Sequence, residues 1–123
     1  MRRLSIVLAA IGLAACQTGP SPSSSSNSDA AQDLYTHLTE AVRTCWFAGD
    51  PAFTAYNYSP EINARSARIL IVSKKAPNGL PLLVIEPKGA AVADVYGPLL
   101  DGPAGARIRA DAERWIKGSS NCS

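Results

Sequence analysis

The sequence predicts an α+β fold: an antiparallel sheet of about four strands, a meander, flanked by an N-terminal and a C-terminal helix in the order α-β-β-β-β-α. Three observations predict it. Apolar residues recur at helical spacing over residues 29–49 and again from about 104 to 117. Between them, four short runs rich in β-branched or aromatic residues fill residues 53–97. Two Pro/Gly-containing turns, "APNGL" and "EPKGA", separate the last three runs, so neighbouring strands should pair antiparallel.

The first helix is expected over "DAAQDLYTHLTEAVRTCWFAGD", where Ala31, Leu34, Leu38, Ala41, Val42 and Cys45 form one stripe with Tyr35 at its margin. Asp29 is placed to cap its start, with Gln32 as the capping-box partner, and Gly49 and Pro51 end it. "FTAYNYS" (53–59) alternates like a strand, and "ARILIVSKK" (67–75) is the second. In "APNGL", Pro77 at the second turn position and Gly79 at the fourth predict a type I turn closed by a left-handed glycine. "LPLLVIE" (80–86) follows, then the Pro87/Gly89 turn, then "AVADVYG" (91–97), whose alanines leave a helix open as the alternative. In the last helix Ile108, Ala112, Trp115 and Ile116 make the stripe, and Gly118 is the stop.

The second and third strands do not alternate apolar with polar, as a sheet with one wet face would. Leu70 and Val72 fall opposite Ile69 and Ile71, and Leu82 and Val84 opposite Leu83 and Ile85. Three arrangements satisfy this: one helix on each face, a sheet curled around a helix, or an apolar face left for a ligand or partner.

Ahead of the domain the chain reads differently. Met1-Arg2-Arg3 is a positive start, and Leu4 to Ala15 an apolar run too short for a ~30 Å hydrocarbon core. This is the layout of a secretory signal peptide. It ends Leu13-Ala14-Ala15-Cys16, which resembles the lipobox of bacterial lipoproteins. The resemblance covers about the first sixteen residues. It implies that residues 1–15 are removed and that Cys16 carries diacylglycerol on its thiol and usually an acyl chain (palmitate or similar) on its amino group. Gln17, where an Asp would favour inner-membrane retention, implies the outer membrane of the bacterial envelope with the domain facing the periplasm. Residues 16–28, the lipidated cysteine and an uncharged Ser/Gly/Pro-rich stretch, are expected to form a flexible tether with a root-mean-square reach of roughly 20 Å. Residues 29–123 then form one small domain.

With Arg2 and Arg3 lost with the signal, the twelve basic side chains become ten, equal to the ten acidic ones. No basic block interleaved with aromatics points to nucleic acid. Assigning Cys16 to lipid leaves Cys45 and Cys122 as an even pair in an oxidising compartment, and a disulfide between them is expected.

Chemistry-bearing motifs are sparse. The single histidine, His37, falls on the flank of the first helix and is expected to be solvated; it has no spaced His or Cys partners for a metal. No nucleophile elbow, phosphate loop or dinucleotide fingerprint occurs, so no catalytic residue, metal or cofactor is assigned. Glu61, Glu86, Asp94 and Asp101 are the carboxylates that a small hydrolase would have to use. More suggestive are Trp46, Phe47, Phe53, Tyr56 and Tyr58 within thirteen residues. Amphipathic rings beside a helix end suit a binding surface, carried by Trp46, Phe53, Tyr56 and Tyr58, or else form the lid of the core. Arg65, Arg68, Lys74 and Lys75 are placed to rim it. The functional expectation is non-catalytic binding, most simply to another envelope protein. A periplasmic inhibitor or apolar-ligand carrier is the alternative, and a carboxylate hydrolase the third reading.

Overall fold

The computed structural model of the chain describes residues 22–63 and 65–123. Cys16, the signal segment 1–15 and the tether as far as residue 21 lie outside the described residues. The elements are α1 (Pro22–Cys45), β1 (Tyr56–Ile62), β2 (Ala67–Ser73), β3 (Leu83–Gly89), β4 (Val92–Tyr96) and α2 (Gly105–Ile116), with 3₁₀ turns at Pro51–Phe53 and Pro98–Asp101. The four strands form one antiparallel meander in the order β1-β2-β3-β4. The α+β fold class and the element order are those the sequence predicts.

Several boundaries differ. Helix α1 starts at Pro22 rather than at Asp29, so Asp29 lies inside the helix and does not cap it, and residues 22–28 are helical. Proline at a first helical position has a φ preset for helix and no N–H to leave unsatisfied. Once the amphipathic turns downstream are nucleated by packing, extension back to Pro22 adds one hydrogen bond per residue fixed. Next, Phe53 is not in a strand. The Asp50 side chain accepts the Ala52 N–H at 2.9 Å and Pro51 occupies the first helical position, the signature of a helix start, so a 3₁₀ turn forms and β1 begins at Tyr56. Strand β1 then runs through Pro60, which an edge strand tolerates.

The third strand begins at Leu83 rather than Leu80. Gly79 N–H does donate to Ala76 O at 2.9 Å, closing the expected turn, but Gly79 is not left-handed. "EPKGA" makes no turn: Pro87 sits within β3 opposite Ala93, a bulge at Pro87/Gly89 absorbs the missing donor, and the chain reverses at Ala90–Ala91. Helix α2 ends as expected. Gly118 (φ 106°) donates to Trp115 O at 2.9 Å and Ser119 N–H to Arg114 O at 3.2 Å, a Schellman closure that needs the left-handed residue.

Both helices pack on one face of the sheet, α1 chiefly on β3 and α2 beside β4. The core between them joins Leu34, Tyr35, Leu38, Val42 and Trp46 to Ile69, Ile71, Leu83, Ile85, Ile108 and Trp115. Each fully buried Leu or Ile there contributes about 1.5–3 kcal/mol. Of the three arrangements left open by the sequence, one helix on each face is therefore not the one adopted. Disulfide Cys45–Cys122, with Cα atoms 5.1 Å apart, ties the end of α1 to the tail leaving α2 and keeps the helices together. On the opposite face Leu70, Val72 and Val84 form a separate apolar cluster, 6–8% exposed. No helix among the described residues is long and apolar enough to cross a membrane. A disulfide of this kind persists in oxidising compartments, which suggests an extracytoplasmic location.

Candidate functional site at the aromatic edge of the sheet

Where α1 ends, Trp46 N–H and Phe47 N–H both donate to Val42 O, at 3.0 and 3.2 Å, and the winding chain turns Trp46 inward and Phe47 sideways. Trp46 is fully buried; its Nε1–H donates to Asp111 Oδ2 at 2.8 Å. Asp111, itself 3% exposed, also accepts Arg114 Nη2 at 2.6 Å and lies 3.4 Å from Arg107 Nε. A carboxylate so buried is tolerable only when paired and hydrogen-bonded, as here. The Phe53 ring stacks on Trp46 with centroids 4.7 Å apart and planes 10° from parallel, and the Trp115 ring meets Trp46 tilted, with centroids 5.0 Å apart.

Over this base the remaining rings are half-buried. Phe47 meets Tyr58 at 5.0 Å and Phe53 at 5.7 Å, and Tyr56 approaches Phe53 edge-on at 6.5 Å. Together they border an open depression of about 570 Å³ between the C-terminal end of α1 and the start of β1, with Asp50, Thr54, Asn57 and Lys74 on its walls. Arg107 lies 5.7 Å over the Phe53 ring and pairs with Asp50. That guanidinium, helped by the Ala52 N–H, holds the Asp50 carboxyl below its usual range. Lys74, which also lines the depression, has no carboxylate within ion-pair distance among the described residues.

The four aromatics singled out from sequence thus divide. Trp46 and Phe53 are the lid of the core, 0% and 2% exposed, and cannot themselves meet a partner. Tyr56 and Tyr58 share one face of β1 and do line the depression. Sequence reasoning missed Asp50, Arg107 and Asp111 as parts of the site. Asp111 was legible: it falls on the α2 stripe beside Ile108, Ala112 and Trp115, an acid where an apolar residue is due.

Other expected residues lie elsewhere. His37 is not a solvated flank residue: its Nε2–H donates to Ser119 O at 2.9 Å and holds the tail beside the disulfide. Trp115 Nε1–H donates to Asn121 O at 2.8 Å in the same anchorage, which draws Cys122 to Cys45. Glu61 pairs with Arg68 at 2.7 Å, and Glu86 and Asp94 flank Lys88 at 3.0 and 3.9 Å. Asp101 lies in the Pro98–Asp101 turn. None of these four carboxylates lines the aromatic depression. Arg68 is spent on Glu61, and Arg65 and Lys75 are exposed off the wall, so of the expected basic rim only Lys74 reaches the site. Among the described residues no group of three His, Cys, Asp or Glu is arranged to hold a metal ion. Compared with protein-family models, curated proteins and solved structures, the chain matches none.

Proposed function

We propose that the chain is a lipid-anchored protein of the bacterial envelope, held to the outer membrane through Cys16, whose domain faces the periplasm and acts by non-catalytic binding to another envelope protein. The observation that carries the binding reading is the half-exposed trio Phe47, Tyr56 and Tyr58 on a rigid base. Such rings offer large contact area at small entropic cost because their neighbours already hold them. A carrier of apolar ligands would need an enclosed chamber. The space under the sheet is instead filled by Leu38, Ile69, Ile71, Leu83 and Trp115, and the depression lies open at the edge. That favours a macromolecular partner.

The anchor follows from the lipobox resemblance. Each buried acyl CH₂ contributes ~0.8 kcal/mol, so two or three chains hold permanently, and confinement near the membrane raises the effective concentration for membrane-bound partners. The test is crosslinking in native cells, wild type beside Cys16→Ser, with mass spectrometry of the attached protein. One dominant envelope protein captured only by the anchored form is the expected result. Capture of a soluble protein equally by both forms would favour an inhibitor, and nothing above background would turn the reading toward a small ligand.

A further inference from the structure

The ladder between β1 and β2 shows which way each backbone group of β1 points. Lys74 N–H donates to Ala55 O at 3.0 Å and Asn63 N–H to Ser66 O at 2.9 Å, so the pairs 55/74 and 63/66 are hydrogen-bonded ones. The unbroken register between them, Tyr56↔Ser73 to Ile62↔Ala67, makes every second pair equivalent. Asn57, Ser59 and Glu61 therefore bond to β2, while the N–H and C=O groups of Tyr56 and Tyr58 point out of the sheet. Pro60 occupies the same outward set, where its missing N–H costs no ladder bond.

Strand β1 is an edge, and its two halves differ. Pro60 and the charged Glu61 blunt the second half in the manner of protected edges. The first half, Tyr56 to Ser59, has neither, and among the described residues nothing bonds to the outward groups of Tyr56 and Tyr58. This open half coincides with the aromatic depression, because the same two tyrosines supply both. Among the described residues the depression's only carboxylate, Asp50, is taken by Arg107, which leaves Lys74 as the charge without an ion pair at the end where β1 begins.

Taking as given the reading that this site binds a protein, we propose that the partner docks as a fifth strand: an extended segment antiparallel to Tyr56–Ser59. Its backbone would pair with the outward groups of Tyr56 and Tyr58. Its residues opposite those tyrosines are apolar and cover Phe47, Tyr56 and Tyr58, since directly opposed residues share a face. An antiparallel segment ends at the Tyr56 side, so its C-terminal carboxylate meets Lys74. Main-chain pairing supplies affinity, and the alternate side chains and the charge supply selectivity.

The test uses the full-length protein, purified in detergent, to select from random heptapeptides displayed with free C-termini. The expected winners have apolar residues at alternate positions and end in a free carboxylate. Amidating that carboxylate, or the substitution Lys74→Glu, should weaken the best peptide about tenfold, while Lys75→Glu changes it less than about twofold. N-methylation of the two peptide nitrogens that face β1 should weaken it at least tenfold, with methylation of the outward ones tolerated. Winners indifferent to N-methylation, or no winners at all, would overturn strand addition. If cells still yield one anchored-form partner in that case, the binding reading stands and only its mode is wrong.

Discussion

At the scale of single residues, the site rests on polar groups placed where the apolar pattern alone would not put them. Asp111 satisfies the Trp46 indole N–H and gathers Arg107 and Arg114. Asp111→Ala leaves the buried Trp46 indole donor unmet and takes one carboxylate from Arg107 and Arg114, which keep Asp50 and Asn121 O respectively. The expected cost is about 2–4 kcal/mol, read as a lower urea midpoint; a loss below about 1 kcal/mol would contradict the role given to it. Gly97 has φ 138°, and a Cβ there would lie 2.4 Å from Leu82 O. Gly97→Ala should lower stability by at least about 2 kcal/mol, since left-handed strain and a backbone clash add. Asp50 sets an acid limit. Its folded pKa is depressed by Arg107, so the stability it supplies is present above the ordinary carboxylate range and is lost as pH falls through the folded value. Asp50→Asn should therefore lower stability at neutral pH and flatten the loss of stability below about pH 4. An acid limb unchanged in the variant would count against the pair.

At the scale of elements, what the sequence made legible follows from how local each signal is. The α1 stripe, the α2 stripe with its Gly118 stop and the β-branched run of β2 are properties of short windows, and all three stand where expected. The fourth strand, for which the alanines left helix open, is a strand because Ala93 and Val95 pack against the helix-side core. The errors come where two local signals compete. Asp50-Pro51 starts a 3₁₀ turn more strongly than the Phe53–Tyr58 alternation starts a strand, and the expected strand slides by three residues. Pro87 and Gly89 look like a turn but are a bulge, because the pairing of Ile85 with Ile69 and Val95 decides the register. The candidate site was half legible. Tyr56 and Tyr58 announce themselves by alternation, whereas Asp50 and Arg107, 57 positions apart, meet only through the fold. A strand-level consequence is that Tyr58→Ser, at a half-exposed edge position, should cost less than about 1.5 kcal/mol of stability while weakening partner capture severalfold. Capture unchanged in that variant would move the site away from β1.

At the scale of the whole molecule, the fold is closed by its ends. Disulfide Cys45–Cys122 spans 77 residues and encloses all four strands and α2, and the chain-entropy account assigns such a loop about 4 kcal/mol as an upper figure. Total stability of a domain this small is of order 5–15 kcal/mol, so the double variant Cys45→Ala with Cys122→Ala should melt well below wild type. Equal melting temperatures would show that His37, Arg114 and Trp115 hold the tail unaided. The same closure braces α1 against the sheet, and with it the ring platform at the end of α1. In the proposed account a tethered, braced domain holds out one half-open sheet edge to a neighbour in the envelope. The most direct test places a benzophenone-bearing residue at Thr54, on the wall of the depression, and separately at exposed Val92 on the far edge strand, in the anchored protein in living cells. The account expects one envelope protein crosslinked from position 54 and none from position 92. The same protein caught from 92 but not from 54 would contradict it.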